Sequence, residues 1–217
     1  IGAVLVGSAL SLSGAAYQGV FKNPLVAPDL LGVSSGACVG ASVAILLHLN
    51  SFGVQAMAFV AGILAVGLTL FIPRLIKNTN MTMLVLSGII VKGIMDSVMG
   101  IIKYVADPET ELQSITYWQL GSLTKVLPKD LFTVGPVIVA ASVIIFLLRW
   151  RINILSLGDR EAKTLGVSVT VVRNFIIICA TLLTASAVCI SGTIGWIGLV
   201  IPHFARMLTG PDNTKVI

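Results

Sequence analysis

Charged side chains are scarce in this chain. Fourteen Lys and Arg with nine Asp and Glu make up only 11% of its 217 residues, where soluble domains carry about 25%. That shortage excludes a soluble module, and no polar block interrupts the pattern. Histidine is nearly missing: only His48 and His203 occur, and neither stands at a metal-ligand spacing. The three cysteines, Cys38, Cys179 and Cys189, lie in apolar runs with no CxxC and no even count, so they read as free packing thiols. The phosphate loop GxxxxGK followed by Ser or Thr is not present. If ATP drives this protein, hydrolysis sits on a separate polypeptide, and this chain is a mechanical part rather than an enzyme. The chain also has no initiator Met and no signal peptide with a basic n-region, and it reads as a fragment.

What is present is hydrophobic sequence, 56% of residues with a mean hydropathy of +1.01. A bilayer core needs about 20 apolar residues per helix. Runs of that kind cover Ile1–Phe21, Leu30–Leu49, Val54–Phe71, Met83–Tyr104, Leu131–Leu148 and Val172–Ser191. A seventh run, Ile194–Leu208, is short and carries Pro202, which predicts a broken or partly re-entrant helix covered by protein. Leu112–Leu123 is amphipathic and too short to span, so it reads as interfacial or re-entrant. The expected fold class is all-α: a polytopic transmembrane bundle with six full spans and one broken span, in a single domain over residues 1–217.

Lysine and arginine orient it. Alternate loops collect Lys22, Arg74, Lys77, Arg149, Arg151, Arg160, Lys163, Arg173, Arg206 and Lys215 on one side. The other side holds Lys103, Lys125 and Lys129 beside Asp107, Glu109, Glu111 and Asp130. The first side is therefore cytoplasmic. The net charge of +5 is this bias and not a nucleic-acid patch.

Lys22 to Gly36, KNPLVAPDLLGVSSG, is a proline-braced elbow between two apolar runs. Pro24 and Pro28 each lack an N–H and restrict the residue before them, so the helix cannot run through, while Lys22 and Asp29 keep the elbow near water. The segment Leu10–Ala37, LSLSGAAYQGVFKNPLVAPDLLGVSSGA, resembles a signature of the FecCD-type permease family, which includes the vitamin B12 and iron–siderophore importers. Gly192–Asp212, GTIGWIGLVIPHFARMLTGPD, is similar to a second signature of that family, and the two occur in the family's order and separation. The resemblance implies a ten-helix permease of the vitamin B12 importer type, of which this chain would lack the first helix and the last two. It implies a permease subunit of an ABC importer for a metal chelate (iron–siderophore, haem or cobalamin) in a prokaryotic cytoplasmic membrane. The implied partners are a second permease copy or close paralogue, two ATPase subunits carrying ATP and Mg, and an extracytoplasmic substrate-binding protein.

The loop 149–173 contains LSLGDREAKTLGVS, a helix–turn–helix pattern. Gly158 interrupts one short helix, Asp159 favours the next N-terminus, and Gly166 ends it. Ala162 and Leu165 are expected on one face, while Arg160 and Lys163 stay solvated, and Glu161 belongs with Gly158, Asp159 and Gly166 to the set expected to couple. An amphipathic loop on the headgroups would look alike; the resemblance assigns the segment to contact with the ATPase. It also places Met81 and Thr82, in the turn Asn78-Thr79-Asn80-Met81-Thr82, at a cytoplasmic gate, although a plain loop explains them nearly as well. His203 falls in the family's IPH pattern with a structural role.

Lys92 and Asp96 stand four residues apart in the middle of the fourth span. Charges there must pair or reach water, and the spacing lets the two meet on one face. They read either as a buried pair or as part of a water-filled substrate pathway. In a different class of transporter, driven by ions, they would be the ion site. Gly32-Val33-Ser34-Ser35-Gly36 fits the nucleophile-elbow pattern, but the only nearby base, His48, lies about 21 Å along the same helix at 1.5 Å per residue. Gly32, Gly36 and Gly40 instead read as a small-residue packing stripe. Asn23, Pro24, Pro28 and Pro202 complete the structural set, and no metal site is expected.

Overall fold

In lipid a backbone must satisfy its own polar groups, and helices do so within one segment. The computed structural model describes residues 1–78 and 80–217, and among these the regular structure is helical with no strand. The helices are α1 Gly2–Phe21, α2 Val33–Leu46, α3 Ser51–Leu75, α4 Met81–Val105, α5 Glu111–Leu120, α6 Pro128–Leu157, α7 Asp159–Thr164, α8 Val169–Ser191, α9 Ile197–Thr209 and α10 Asn213–Val216. One-turn 3-10 segments at Pro28–Leu31 and Leu123–Lys125 precede α2 and α6.

Five of the described helices, α1, α3, α4, α6 and α8, are long and apolar enough to cross a bilayer. The expectation of six full spans is corrected at Leu30–Leu49. The 3-10 turn and Gly32, at φ +82, delay the helix start to Val33, and the helix is finished at Leu46, two residues before His48 turns left-handed at φ +52. Fourteen helical residues reach only about 21 Å. The opposite correction applies to Leu131–Leu148, since α6 runs on through Arg149, Trp150 and Arg151 to Leu157. No separate short helix stands before Gly158. Arg149 stays on the helix by lying 4.1 Å from the Phe146 ring and donating to the Thr214 carbonyl.

The chain divides into two compact units. The first comprises Ile1–Pro28, Leu131–Thr184 and Gly195–Ile217. Its interior holds the fully buried Tyr17, Ile145, Ile152, Leu155, Ile176, Ile177 and Leu183. Lipid tails are as apolar as these side chains, so close packing and internal hydrogen bonds carry the association. The Ser13 hydroxyl donates to the Ala180 carbonyl at 2.9 Å and lies 2.7 Å from Thr184 Oγ1; the Tyr17 hydroxyl lies 2.9 Å from Thr181 Oγ1. Gly14 rests against the Gly198 carbonyl, so α1 and α9 touch backbone to backbone where no Cβ fits.

The second unit comprises Asp29–Asp130 and Ala185–Ile194. Gly36 of α2 lies against Ala61 and Ala65 of α3, and Gly40 lies against Met57 and Ala61. This glycine stripe lets two helix backbones approach closely. The segment expected to be interfacial or re-entrant, Leu112–Leu123, becomes α5 and folds back onto protein. Its Ile115 packs with Cys38, Met99, Ile102 and Ala106. At its end Gly121 and Gly192, both at positive φ, abut, and the Ser122 N–H donates to the Ser191 carbonyl at 2.7 Å. Asp130 is buried, accepting from Gln55 Nε2 at 3.0 Å and from the Leu127 N–H at 2.9 Å.

Helices α3, α4 and α6 leave rows of large apolar side chains exposed, among them Leu64, Leu68, Ile90, Ile94, Val143 and Leu147. Apolar surface on this scale is foreign to a monomer in water and native to a bilayer. The protein is a multi-pass membrane helical bundle.

Candidate functional site

The elbow between α1 and α2 is built by its own polar groups. Lys22 takes the left-handed conformation that ends α1, with the Asn23 N–H donating back to the Gln18 carbonyl at 3.2 Å. The Asn23 side chain then accepts from the Leu25 N–H at 2.9 Å, closing a turn that Pro24 suits. Buried Gln18 donates to the carbonyls of Val26 and Leu199, both at 3.3 Å, and accepts from Arg206. Arg206 lies one turn after buried Pro202 in α9, so the guanidinium braces a helix weakened by proline. The two segments of family resemblance are thus joined through Gln18, a residue whose role the sequence pattern left unassigned. His203 beside them is exposed.

At the far end of the elbow Asp29 does two jobs. Its Oδ1 accepts the Ser34 N–H at 3.1 Å at the start of α2, and its Oδ2 meets Lys92 Nζ at 2.7 Å. The expected Lys92–Asp96 contact is not formed. Lys92 stands about 17 Å along α4 at 1.5 Å per residue. Gly88 and Gly32 explain the choice: Gly88 lies against the Leu30 carbonyl, and Gly32 lies against the Lys92 backbone. These glycines let the 3-10 turn seat directly on α4 and bring a carboxylate to the ammonium. Asp29 therefore lies beside mid-α4 rather than merely near surface water. Asp96 is exposed, with no ion pair among the described residues.

The loop expected to contact an ATPase has sharper limits than 149–173. Helix α7 is bounded by Gly158 at φ +143 and by Gly166 at φ +77. Both C-terminal hydrogen bonds of a Schellman motif are present: Val167 N–H to Ala162 carbonyl and Gly166 N–H to Lys163 carbonyl, each 3.0 Å. The Glu161 carboxylate folds over Gly158 and occupies the space a Cβ would need. Ala162 and Leu165 do not share a presented face. Ala162 is fully buried, whereas Leu165 is 59% exposed beside solvated Arg160, Glu161 and Lys163. Ala162 is thus an inward packing residue, and the exposed apolar side chain of α7 is Leu165.

Asp159 fastens α7 to its unit. Its Oδ1 lies 2.7 Å from Arg173 Nη2 and 3.1 Å from Lys22 Nζ. Partial desolvation pushes the carboxyl upward, but the hydrogen bonds from Arg173 and Lys22 outweigh it and hold its pKa below the usual aspartate value. A depressed folded-state pKa contributes stability above the unfolded value of about 3.9, and that contribution is lost as pH falls through the folded value. Amide-exchange protection across residues 159–165, corrected for intrinsic rates, is therefore flat at neutral pH and falls only below the ordinary aspartate range. In Asp159→Asn it is already reduced at neutral pH and shows no such transition. Equal protection in both proteins at neutral pH would show that the cluster does not hold the helix.

Met81 and Thr82 open α4 after Asn80; Thr79 lies outside the described residues. Ser34 sits in the first turn of α2, which follows a 3-10 turn rather than a strand, and its N–H donates to Asp29 Oδ1. His48 lies at the end of α2, with Nε2 3.4 Å from Glu111 Oε1. The three cysteines are buried and free. No group of His, Cys, Asp and Glu among the described residues could hold a metal ion.

The FecCD transport family model matches residues 1–217. The chain is 40% identical over 215 residues to the "Probable iron chelatin transport system permease protein" of Helicobacter pylori, covering 99% of this chain and 65% of that protein. It is 37% identical over 216 residues to the molybdate import system permease protein MolB of Haemophilus influenzae, covering 99% and 64%. The chain thus spans somewhat less than two thirds of the length of these relatives. A solved structure of an inward-facing metal-chelate type ABC transporter superposes with a TM-score of 0.94 at 35% identity, over 99% of this chain and 68% of that one. Both resembling segments lie inside the matched region, and the helical bundle agrees throughout: the chain belongs to the FecCD transport family.

Proposed function

We propose that this chain is the membrane-spanning permease part of an ABC importer that moves a metal chelate (iron–siderophore, haem or cobalamin) inward. The observation that carries the reading is α7: six residues, capped by glycines at both ends, fixed by Asp159 and presenting an exposed leucine. A short helix held so firmly yet offering apolar surface suits insertion into a groove of another protein. The family relationship makes that protein an ATPase subunit, which would bind ATP and Mg. The same relationship supports two permease copies around a central path, two ATPases, and a substrate-binding protein on the outer face of a prokaryotic cytoplasmic membrane. The excess of Lys and Arg around α7 supports its cytoplasmic placement.

An ion-coupled transporter would need Lys92 and Asp96 as its ion site, but Lys92 is engaged by Asp29, and α7 would have no task. The test is co-purification. Solubilised from its native membrane under mild detergent, the protein carries an ATPase subunit whose ATP hydrolysis rises when the substrate-binding protein is added. Recovery of active transporter without any ATPase would reject the proposal.

A further inference from the structure

A single carboxylate oxygen ties α7 to two different helices. Asp159 Oδ1 lies 2.7 Å from Arg173 Nη2 and 3.1 Å from Lys22 Nζ, and the two cations do different work. Arg173 belongs to α8, only 14 residues further along the chain, and its side chain is 7% exposed. So enclosed, it seats α7 on the helix that follows it. Lys22 stands 137 residues before Asp159, at the C-cap of α1, and is 34% exposed. A partly exposed pair contributes little to stability. What Lys22 adds is a connection: among the described residues, the polar links from α7 to other helices are these two.

Lys22 does not move alone. Its own N–H and that of Asn23 both donate to the Gln18 carbonyl. The Gln18 side chain in turn holds α9, donating to the Leu199 carbonyl at 3.3 Å and accepting from Arg206. One turn earlier Gly14 rests against the Gly198 carbonyl, a second attachment of α1 to α9 with no room to slide. Close-packed and hydrogen-bonded chains of this kind carry displacement from one element to the next. We propose that Lys22 is a transmission residue: its ion pair with Asp159 carries the ATP-driven displacement of α7 into the end of α1 and, through Gln18, into α9. The inference rests on the permease reading above and deepens it, naming the contact by which the ATPase-facing helix acts on membrane-spanning ones. Because Arg173 keeps α7 seated when that contact is cut, seating and transmission are separable.

Amide exchange in the full-length transporter with its ATPase subunits tests it, comparing the nucleotide-free state with the state trapped by ATP and vanadate. In the wild type, exchange is expected to differ between the two states both at residues 159–165 and at the elbow amides of Lys22, Asn23, Leu25 and Val26. In Lys22→Met the difference at 159–165 persists and the difference at the elbow is lost. Lys22→Arg, which keeps the charge, restores it. A lysine with a merely structural role would change elbow exchange in both states alike and leave the difference between them intact. Lys22→Gln, which keeps a polar end in the same partly exposed place, repeats the comparison where the methionine variant yields too little protein. An elbow difference of wild-type size in the uncharged variants would overturn the proposal, as would its absence from the wild type or from Lys22→Arg. No difference at 159–165 in the wild type would instead reject the permease reading itself, and this inference with it.

Discussion

Lys92→Met strips most of the protein from the membrane fraction, and adding Asp29→Asn restores much of it. With the ammonium gone, the Asp29 carboxylate is left beside mid-α4 without its partner. Removing one member of a buried pair costs about 3–5 kcal/mol, and a lone charge at helix centre about 2.5–3.5. Because Lys92 and Asp29 are 46% and 31% exposed, solvent screening lowers the expected cost to about 2–3 kcal/mol. That is a large share of a stability that is marginal in most proteins. Asparagine retains a side-chain oxygen for the Ser34 N–H, so the second substitution removes the stranded charge without uncapping α2. Asp96→Leu alone should leave the yield near normal, because Asp96 has no described partner to strand. Lys92→Met at wild-type yield would show that the Asp29 pair contributes little. Rescue of Lys92→Met by Asp96→Leu instead of Asp29→Asn would return the pairing to Asp96.

Leu165→Asp should separate folding from coupling. Leu165 projects from α7 and touches little of its own chain, so the protein should insert and fold normally. Burying a leucine in a partner's groove is worth about 1.5–3 kcal/mol; its loss weakens ATPase association by roughly tenfold to a hundredfold, since about 1.4 kcal/mol is tenfold. Placing a carboxylate in that groove adds to the loss. Ala162→Trp behaves differently. Ala162 is wholly enclosed, and an indole there has nowhere to go, so α7 itself unseats and yield falls. Stimulated ATP turnover and quantitative co-purification, measured on both variants at matched amounts, distinguish the two effects. Normal turnover in Leu165→Asp would remove that leucine from the interface.

Much of this was legible in the sequence, for identifiable reasons. Apolar runs locate spans because a bilayer demands length, and glycine and proline locate ends because few other residues tolerate those backbones. Gly36 and Gly40 declare a packing stripe by their spacing alone. What failed were inferences that depended on long-range partners. Lys92 and Asp96 satisfy the local rule for a helical pair, yet Asp29, sixty-three residues earlier in the chain, takes the contact because Gly32 and Gly88 let the elbow approach. Ala162 and Leu165 sit three apart and suggest a shared face, but a helix of six residues is too short for periodicity to say which way it turns. That was decided by Asp159, through Arg173 and Lys22. The six-span count failed because hydropathy does not register a helix that starts late: Leu30 and Leu31 are apolar but end a 3-10 turn, and Gly32 after them is left-handed. Lys22, His48 and Lys77 ended helices in the left-handed conformation without glycine, a choice that residue preferences do not reveal.

The most direct test of the account is uptake into proteoliposomes containing the full-length permease with its ATPase, loaded with or without internal ATP and supplied with ferric chelate on its substrate-binding protein. Chelate should accumulate only when ATP is inside, at a rate unaffected by dissipating proton and sodium gradients, and Leu165→Asp should abolish it. Accumulation driven by an ion gradient in vesicles without ATP would contradict the account.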